Sequence, residues 1–424
     1  MPKHLTMIDL FAGAGGLSEG FIRAGFKPVA HVEMDKAACN TLRTRAVYYW
    51  LKEKKKLPIY YKYLKREITR TELYAKAPEA LSSVIEAPIG AETNPSIFKQ
   101  VQELAGNRSL DLLVGGPPCQ AYSLMGRSAD PNRMQGDARN YLFKYYIEFL
   151  VKFEPKYFVF ENVTGLLSAK DEAGNKYLDL IKEAFKNSGY KIAIETLTAS
   201  DFGVPQHRKR VIIVGKKVKR GEEGPTFPKL KKSKHSETIS QLFSDLHPLN
   251  AGEERNTYTA SSDGHLKSLI QLGLRRKKTS APLTYHVARP NIERDLEIYR
   301  LAVGKWVKDG KRLNYSELPA RLITHKNTKS HLDRFKVVAD EYASHTVVAH
   351  IAKDGHYYIH PDPEQNRSIT VREAARLQTF PDDFYFEGIS EKLSRTAAFK
   401  QIGNAVPVLL AQRIADALLK EWND

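Results

Sequence analysis

Cys119 is one of only two cysteines in the chain and stands in Gly115-Gly116-Pro117-Pro118-Cys119-Gln120. Directly before it, Leu110-Asp111-Leu112-Leu113-Val114 is an apolar run with the length of a buried strand. Two consecutive prolines fix φ and offer no N–H, so the strand must end there in a stiff turn. A thiol held on a rigid loop at the carboxyl end of a strand is placed as a nucleophile would be. Packing as a small core hydrophobe is the other reading of a lone cysteine. A second reactive stretch is Val32-Glu33-Met34-Asp35, an acid at the end of another apolar run. Glu33 can accept hydrogen bonds from both hydroxyls of a ribose there, and Met34 can lie against an adenine face. Asp35 reads as a helix cap. A third stretch, Asp9-Leu10-Phe11-Ala12-Gly13-Ala14-Gly15-Gly16, is a strand running into a glycine-rich turn. Its glycines permit a tight turn and close approach of a ligand, but their spacing is not the dinucleotide Gly-x-Gly-x-x-Gly.

The elements that must hold these residues alternate along the chain. Strand patterns cover Leu5 to Phe11, Pro28 to Val32, Leu110 to Val114, Tyr157 to Phe160 (ending at Glu161-Asn162), Lys191 to Leu197 and Arg210 to Val214. Helical patterns cover Leu17 to Ala24, a stretch from Lys36, Pro95 to Leu104, Asn140 to Lys152 and Tyr177 to Ser188. This alternation predicts an α/β fold, a doubly wound and mostly parallel sheet. Residues 43–108 interrupt it with a Lys- and Tyr-rich stretch that reads as an insertion. From about Lys216 the pattern fails, and 216–345 is basic and irregular, predicting a smaller second domain. Regular patterning returns after 346, and a helix from Val408 to Trp422 closes the chain. The expected organisation is 1–215, 216–345 and 346–424.

The formal charge is +17 over 424 residues. Residues 43–80 hold 11 Lys/Arg against 4 Asp/Glu, and residues 216–312 hold 21 against 11. Such a field favours a polyanion, nucleic acid being the commonest, although a solvated basic surface has the same composition. Two cysteines make neither a disulfide framework nor a metal cluster, so no metal is expected. Met1-Pro2-Lys3-His4 leads straight into the first strand pattern rather than a secretory leader, and a cytoplasmic, reducing setting is expected.

Together these stretches resemble the DNA cytosine-5 methyltransferases over most of the chain. In order, Asp9 to Phe21 is similar to that family's cofactor turn, Glu33-Met34 to its ribose and adenine contacts, and Pro117-Pro118-Cys119-Gln120 to its nucleophile loop. Glu161-Asn162-Val163 resembles its glutamate motif and Gln206-His207-Arg208-Lys209-Arg210 its arginine motif. Thr370 to Pro381 and Gln401-Ile402-Gly403-Asn404-Ala405-Val406-Pro407 resemble its last two motifs. The resemblance implies a Rossmann-like, class I methyltransferase fold that uses S-adenosylmethionine and leaves S-adenosylhomocysteine. It also implies double-stranded DNA with a flipped cytosine, and a target-recognition domain matching 216–345. Two departures stand out. An aromatic residue is usual where Met34 stands, and the best local candidate for the family's third-strand aspartate, Ile89-Gly90-Ala91-Glu92, holds no aspartate, with Glu92 as its substitute.

The resemblance further assigns roles. Cys119 would add to C6, Glu161 would present a proton to N3, and Arg208 would face O2 with Arg210 as its structural or phosphate-side companion. Phe11, Gly13, Gly15, Gly16, Glu33, Met34, Glu92, Pro118, Leu142 and Asn404 would line the cofactor site. Arg139 would order the loop, and residues 123–136 would form a lid. Arg275-Arg276-Lys277-Lys278 would grip phosphate, and Arg289 and Arg294 lie in a run with partly helical pattern. No residue is assigned to remove the C5 proton. RNA methylation, a non-catalytic relative and a dehydrogenase are the rival readings. They are disfavoured by the large basic insert, the retention of Cys119 and Glu161, and the missing dinucleotide fingerprint. A microbial modification enzyme is expected, monomeric on DNA, nucleoid-associated and accompanied in some settings by a cognate restriction endonuclease.

Overall fold

The computed structural model describes residues 5–118, 141–219, 222–233, 238–276, 281–325, 327, 329–338 and 341–423. Cys119, Gln120, the 123–136 stretch, Arg139, Lys277 and Lys278 therefore lie outside the described residues. The strands in chain order are β1 (Thr6–Leu10), β2 (Lys27–Glu33), β3 (Val84–Glu86), β4 (Leu112–Gly115), β5 (Tyr157–Asn162), β6 (Tyr190–Thr198), β7 (Gln206–His207), β8 (Lys209–Lys217) and β9 (Ser344–His345). Seven of them form one sheet in the order β3-β2-β1-β4-β5-β8-β6, and β7 and β9 form a parallel pair of their own. Only β8 runs against its neighbours. The order reverses between β1 and β4, which opens a crevice at the carboxyl ends of those two strands.

The strand sequences are nearly continuous apolar runs because both faces of the sheet are covered. Period-two alternation divides them. Met7, Leu112, Val114, Val159, Ile212 and Val214 face one core, against the helices Gly16–Ala24 and Val408–Asn423. Ile8, Leu10, Leu113, Phe158, Phe160 and Ile213 face the other, against the helices Asn94–Ala105, Leu142–Phe153 and Tyr177–Asn187. The stretch Arg395–Trp422 is apolar enough to cross a membrane by length and composition, but 67% of its most apolar window is buried inside the protein.

Residues 216–345 divide between two cores. Ile239, Leu242, Phe243, Leu269, Leu274 and Tyr285 join the first sheet core. Ile298, Tyr299, Val303, Leu313, Tyr315, Phe335 and Val337, with Ile359 from beyond 345, make a small core of their own around the helix Glu293–Asp309. Within 43–108, Tyr48, Tyr60, Tyr61 and Tyr63 are buried in the first core, with Tyr60 edge to face with Tyr48 and Tyr61 and tilted against Tyr63. Those tyrosines serve packing.

Candidate active site

At the end of β1 the chain turns through Phe11, Gly13 and Gly15, all at positive φ (54°, 54° and 79°). Gly15 is the left-handed cap that starts the helix Gly16–Ala24. A Cβ on Gly13 would meet nothing within 4 Å, so the turn offers open space to an approaching group. The Glu33 carboxylate closes the other side. Its Oε2 accepts from Gly13 N at 2.8 Å, and its Oε1 accepts from Met34 N and Asp35 N at 2.8 Å each. Three backbone donors thus hold an acceptor ready at the end of β2. Met34 beside it is 68% exposed, an apolar side chain without a cover. Asp35 caps the helix Lys36–Glu53 by accepting from Ala37 N and Ala38 N, as its sequence position suggests.

Asp9 lies beneath this turn, buried in the middle of β1, and takes the Ser18 hydroxyl as donor. Burial raises its pKa to about 7, opposed by the Ser18 bond and assisted by the Glu33 charge. Sequence reasoning assigned Asp9 no role. Its signal was an acid inside an otherwise apolar strand.

The catalytic end is built on β4, β5 and β8. A Cβ on Gly116 would stand 2.6 Å from Glu161 Oε2, so a glycine here lets the main chain approach that carboxylate closely. Asn162 donates from Nδ2 to the Pro117 carbonyl at 3.3 Å, which anchors the start of the Pro117-Pro118 loop on β5. Pro118, the residue before Cys119, is exposed. Across the antiparallel β5–β8 pair, Glu161 is opposite Ile212. Arg210 stands two positions along β8 and so shares the Glu161 face. Arg210 Nε reaches Glu161 Oε1 at 2.6 Å, and both side chains are 13% exposed.

Arg208 does not face this carboxylate. It is 1% exposed, and its guanidinium donates to the carbonyls of Val347 at 2.7 Å and Gly403 at 3.1 Å. Gln206 does similar work, with its Oε1 taking Val347 N at 2.9 Å and its Nε2 donating to Leu377 O at 3.1 Å. Arg208 sits in the break between β7 and β8, where Arg208 N bonds back to Gln206 O. Strand alternation therefore does not carry from 210 to 208. Arg210, rather than Arg208, is thus the arginine that pairs with Glu161 here, and Arg208 joins the segments at Val347 and Gly403.

Glu92 is also displaced from its expected place. It is exposed in the turn before the helix Asn94–Ala105, beyond the end of β3. The acid at the strand end is Glu86, which Arg43 engages at 2.8 Å. Leu142 opens its helix half-buried, and Asn404 closes the helix Arg395–Asn404 exposed. The next residues of the closing motif pack on the cofactor turn, since a Cβ on Gly16 would lie 2.4 Å from Val406 O. Arg275 and Arg276 are structural: Arg275 pairs with Asp245 and lies over Tyr258, and Arg276 pairs with Asp383. Arg289 donates to Lys353 O and stacks on Phe399. A cavity of about 620 Å³ lined by Phe243, His247, Trp306 and His360 includes none of Gly13, Glu33, Gly116, Glu161 or Arg210.

The profile of the C-5 cytosine-specific DNA methylases matches residues 5–57 and 88–420. The chain belongs to that family. This DNA methylase is 43% identical over 446 residues to the type II methyltransferase M.Bpa9945I of Bacillus paralicheniformis, with 98% of each chain covered. It is 30% identical to the type II methyltransferase M1.HphI of Haemophilus parahaemolyticus, covering 98% of this chain and 87% of the relative. Among solved structures, a protein assigned as a prophage-encoded DNA modification methyltransferase of E. coli superposes with a TM-score of 0.60 at 21% identity, covering 99% of this chain and all of that one. That likeness bears on fold alone, and the fold is that of a class I methyltransferase. The methylase is thus a DNA cytosine-5 methyltransferase, whose family and fold imply S-adenosylmethionine as donor and double-stranded DNA as substrate.

Proposed function

We propose that the enzyme methylates C5 of a cytosine flipped out of a specific duplex site, through a covalent bond from Cys119 to C6. The observation that carries this reading is Glu161, held between Arg210 and the backbone at Gly116 on the loop that leads into Cys119. S-adenosylmethionine supplies, when bound, an electrophilic methyl on a sulfonium. Glu33 would accept its ribose hydroxyls, Phe11 and Met34 would flank its adenine, and the Gly13–Gly16 turn would admit its remaining part.

Cytosine C5 is a weak nucleophile inside an aromatic ring. Addition of the Cys119 thiolate at C6 breaks the C5–C6 double bond and pushes its electron pair into the ring, toward N3 and O2. Glu161 delivers a proton at N3, and Arg210 fixes that carboxyl and stands beside O2 as a planar cation. The pair is nearly closed to solvent, so these contacts are stronger than they would be in water. C5, now electron-rich, would bond to the donor's methyl carbon as that carbon's bond to the sulfonium sulfur breaks. Loss of the C5 proton to water then lets the Cys119 thiolate depart, and return of the N3 proton to Glu161 restores the ring. Arg208 contributes by holding the 344–347 segment and the closing motif in register.

The type II names of the relatives support a role in restriction-modification; we further propose that the enzyme acts as a monomer on cytoplasmic DNA, with a separately encoded endonuclease as its counterpart. Bisulfite sequencing of a plasmid propagated with this protein tests the reading. Cytosines protected within one recurring sequence are expected, with protection lost in Cys119→Ala. An unprotected plasmid, or full protection by Cys119→Ala, overturns it.

A further inference from the structure

The family profile skips residues 58–87. Several polar contacts of that stretch converge on the loop 387–391, while Tyr60 bonds Asp383 O, Tyr74 bonds Asn40 O and Glu86 pairs with Arg43. Arg70, only 12% exposed, donates from Nη1 to Glu387 Oε2 at 3.3 Å and Gly388 O at 3.1 Å, and from Nη2 to Ile389 O at 3.0 Å. The Glu391 carboxylate returns the contact, accepting from Thr71 N at 3.2 Å and Thr71 Oγ1 at 3.0 Å. Tyr63 adds its hydroxyl to Glu387 Oε1 at 2.6 Å.

That loop is in turn bonded to the helix that begins beside Glu33. Asn40 Nδ2 donates to Gly388 O at 3.0 Å, and Glu387 N donates to Thr41 Oγ1 at 2.8 Å. Thr41 then donates to Gln401 Oε1 at 2.6 Å, and Gln401 Nε2 donates to Glu387 O at 2.8 Å. Next to Gln401, Lys400 reaches across to Asp35 at 3.0 Å. Insert, loop, closing motif and the Glu33–Asp35 corner thus form one bonded chain, buried at its centre (Asn40, Thr41, Glu387 and Gln401) and exposed at both ends.

We propose that the 58–87 segment braces the cofactor side of the pocket, with Arg70 as a positioning residue acting through the 387–391 loop. This rests on the reading of Glu33 as the ribose acceptor. The planar fork of an arginine meets a carboxylate and two carbonyls at once, which a lysine cannot do. Of the eleven cations of 43–80, Arg43, Arg45 and Arg70 are spent on acids within the protein.

The test uses the full-length enzyme with Arg70→Ala and the milder Thr71→Val. It measures KM for S-adenosylmethionine, KM for DNA, kcat at saturating cofactor, and the Kd of S-adenosylhomocysteine by calorimetry. For Arg70→Ala the two cofactor constants are expected to rise about tenfold, with kcat and KM for DNA within about twofold of wild type. Thr71→Val should move the same two constants in the same direction by about two- to threefold, and it decides the question if Arg70→Ala fails to fold. Unchanged cofactor constants in folded variants overturn the brace, as does a rise confined to KM for DNA. Glu33→Ala separates the two levels. If it abolishes S-adenosylhomocysteine binding while Arg70→Ala does not weaken it, the brace alone fails. If Glu33→Ala binds normally, the pocket reading fails and the brace with it.

Discussion

Arg210→Ala and Arg208→Ala should fail in different ways, although the two residues are nearly adjacent in sequence. The Arg210–Glu161 pair has a 2.6 Å contact and 13% exposure on each side. Two unit charges with centres about 4 Å apart interact by about 4 kcal/mol at an effective dielectric of about 20, an upper limit on the net value. Removing Arg210 also removes the cation beside the developing charge, and loss of one such preorganised donor costs about 3 kcal/mol of barrier, or 10²–10³ in rate. The fold itself should lose less, because removing the Arg210 side chain admits water to Glu161 at the end of β5. Arg208 is the converse. It is fully buried, and its guanidinium serves two backbone carbonyls from separate segments. Its removal leaves those carbonyls unpaired and opens a void, a cost of about 3–5 kcal/mol in stability. Single-turnover methyl transfer on a cognate duplex, run beside urea unfolding, reads both quantities. Arg210→Ala should be slowed at least about 100-fold with a modest shift in midpoint. Arg208→Ala should unfold earlier yet retain more activity per folded molecule. An Arg210→Ala enzyme within about threefold of the wild-type rate would falsify the assignment, as would a larger rate loss in a fully stable Arg208→Ala.

Three further outcomes follow from the same geometry. Gly116→Ala would push the flexible end of Glu161 aside, since the added Cβ stands 2.6 Å from Oε2. The expected result is a loss of about 10² in kcat with Tm within about 2 °C of wild type, and normal activity would contradict the close approach. His31 is buried in β2 with its pKa lowered to about 4 by burial. Unfolded chains take up that proton near pH 6.5 and the native state does not, so stability is fully present above pH 6.5 and falls by about 3 kcal/mol toward pH 4. His31→Leu should lose that share of the acid slope, measured as urea midpoints across pH 4–7. Asp9 has the opposite sign: its pKa of about 7 means the native state keeps a proton that the unfolded chain releases near pH 4. Stability from this group therefore declines by about 4 kcal/mol as pH rises from 4 to 7 and stays flat above. Asp9→Asn should remove that decline, and a variant with the wild-type pH profile would refute the buried, neutral carboxyl.

The strands and helices of the sheet domain were legible because each is a long apolar run with a clear period. Tyr157–Asn162, Tyr177–Asn187 and Val408–Asn423 fall within one or two residues of expectation. The short β3 was not legible. Three residues carry no period, and the strand exists because β2 offers it an edge. The same gap led to Glu92 in Ile89-Gly90-Ala91-Glu92, whereas the strand ends at Glu86. The arginine motif shows a different limit. Its two arginines have identical chemistry, and only the break between β7 and β8 sends one inward to carbonyls and the other onto the face of Glu161.

By itself the sequence determined the chemistry on offer: a cysteine after two prolines, an acid closing β2, a glycine turn, a glutamate and an arginine motif in fixed order. Residue type and local spacing suffice for that, because turns, caps and strand ends are set by a few adjacent residues. The tertiary structure decided which of these groups share a face. Glu33 meets Gly13 across two parallel strands, Glu161 meets Arg210 across an antiparallel pair, and the 58–87 insert reaches the cofactor corner through residues more than 300 positions away. Those contacts depend on strand order and register, which are set by burial over the whole sheet and leave no mark at any single position.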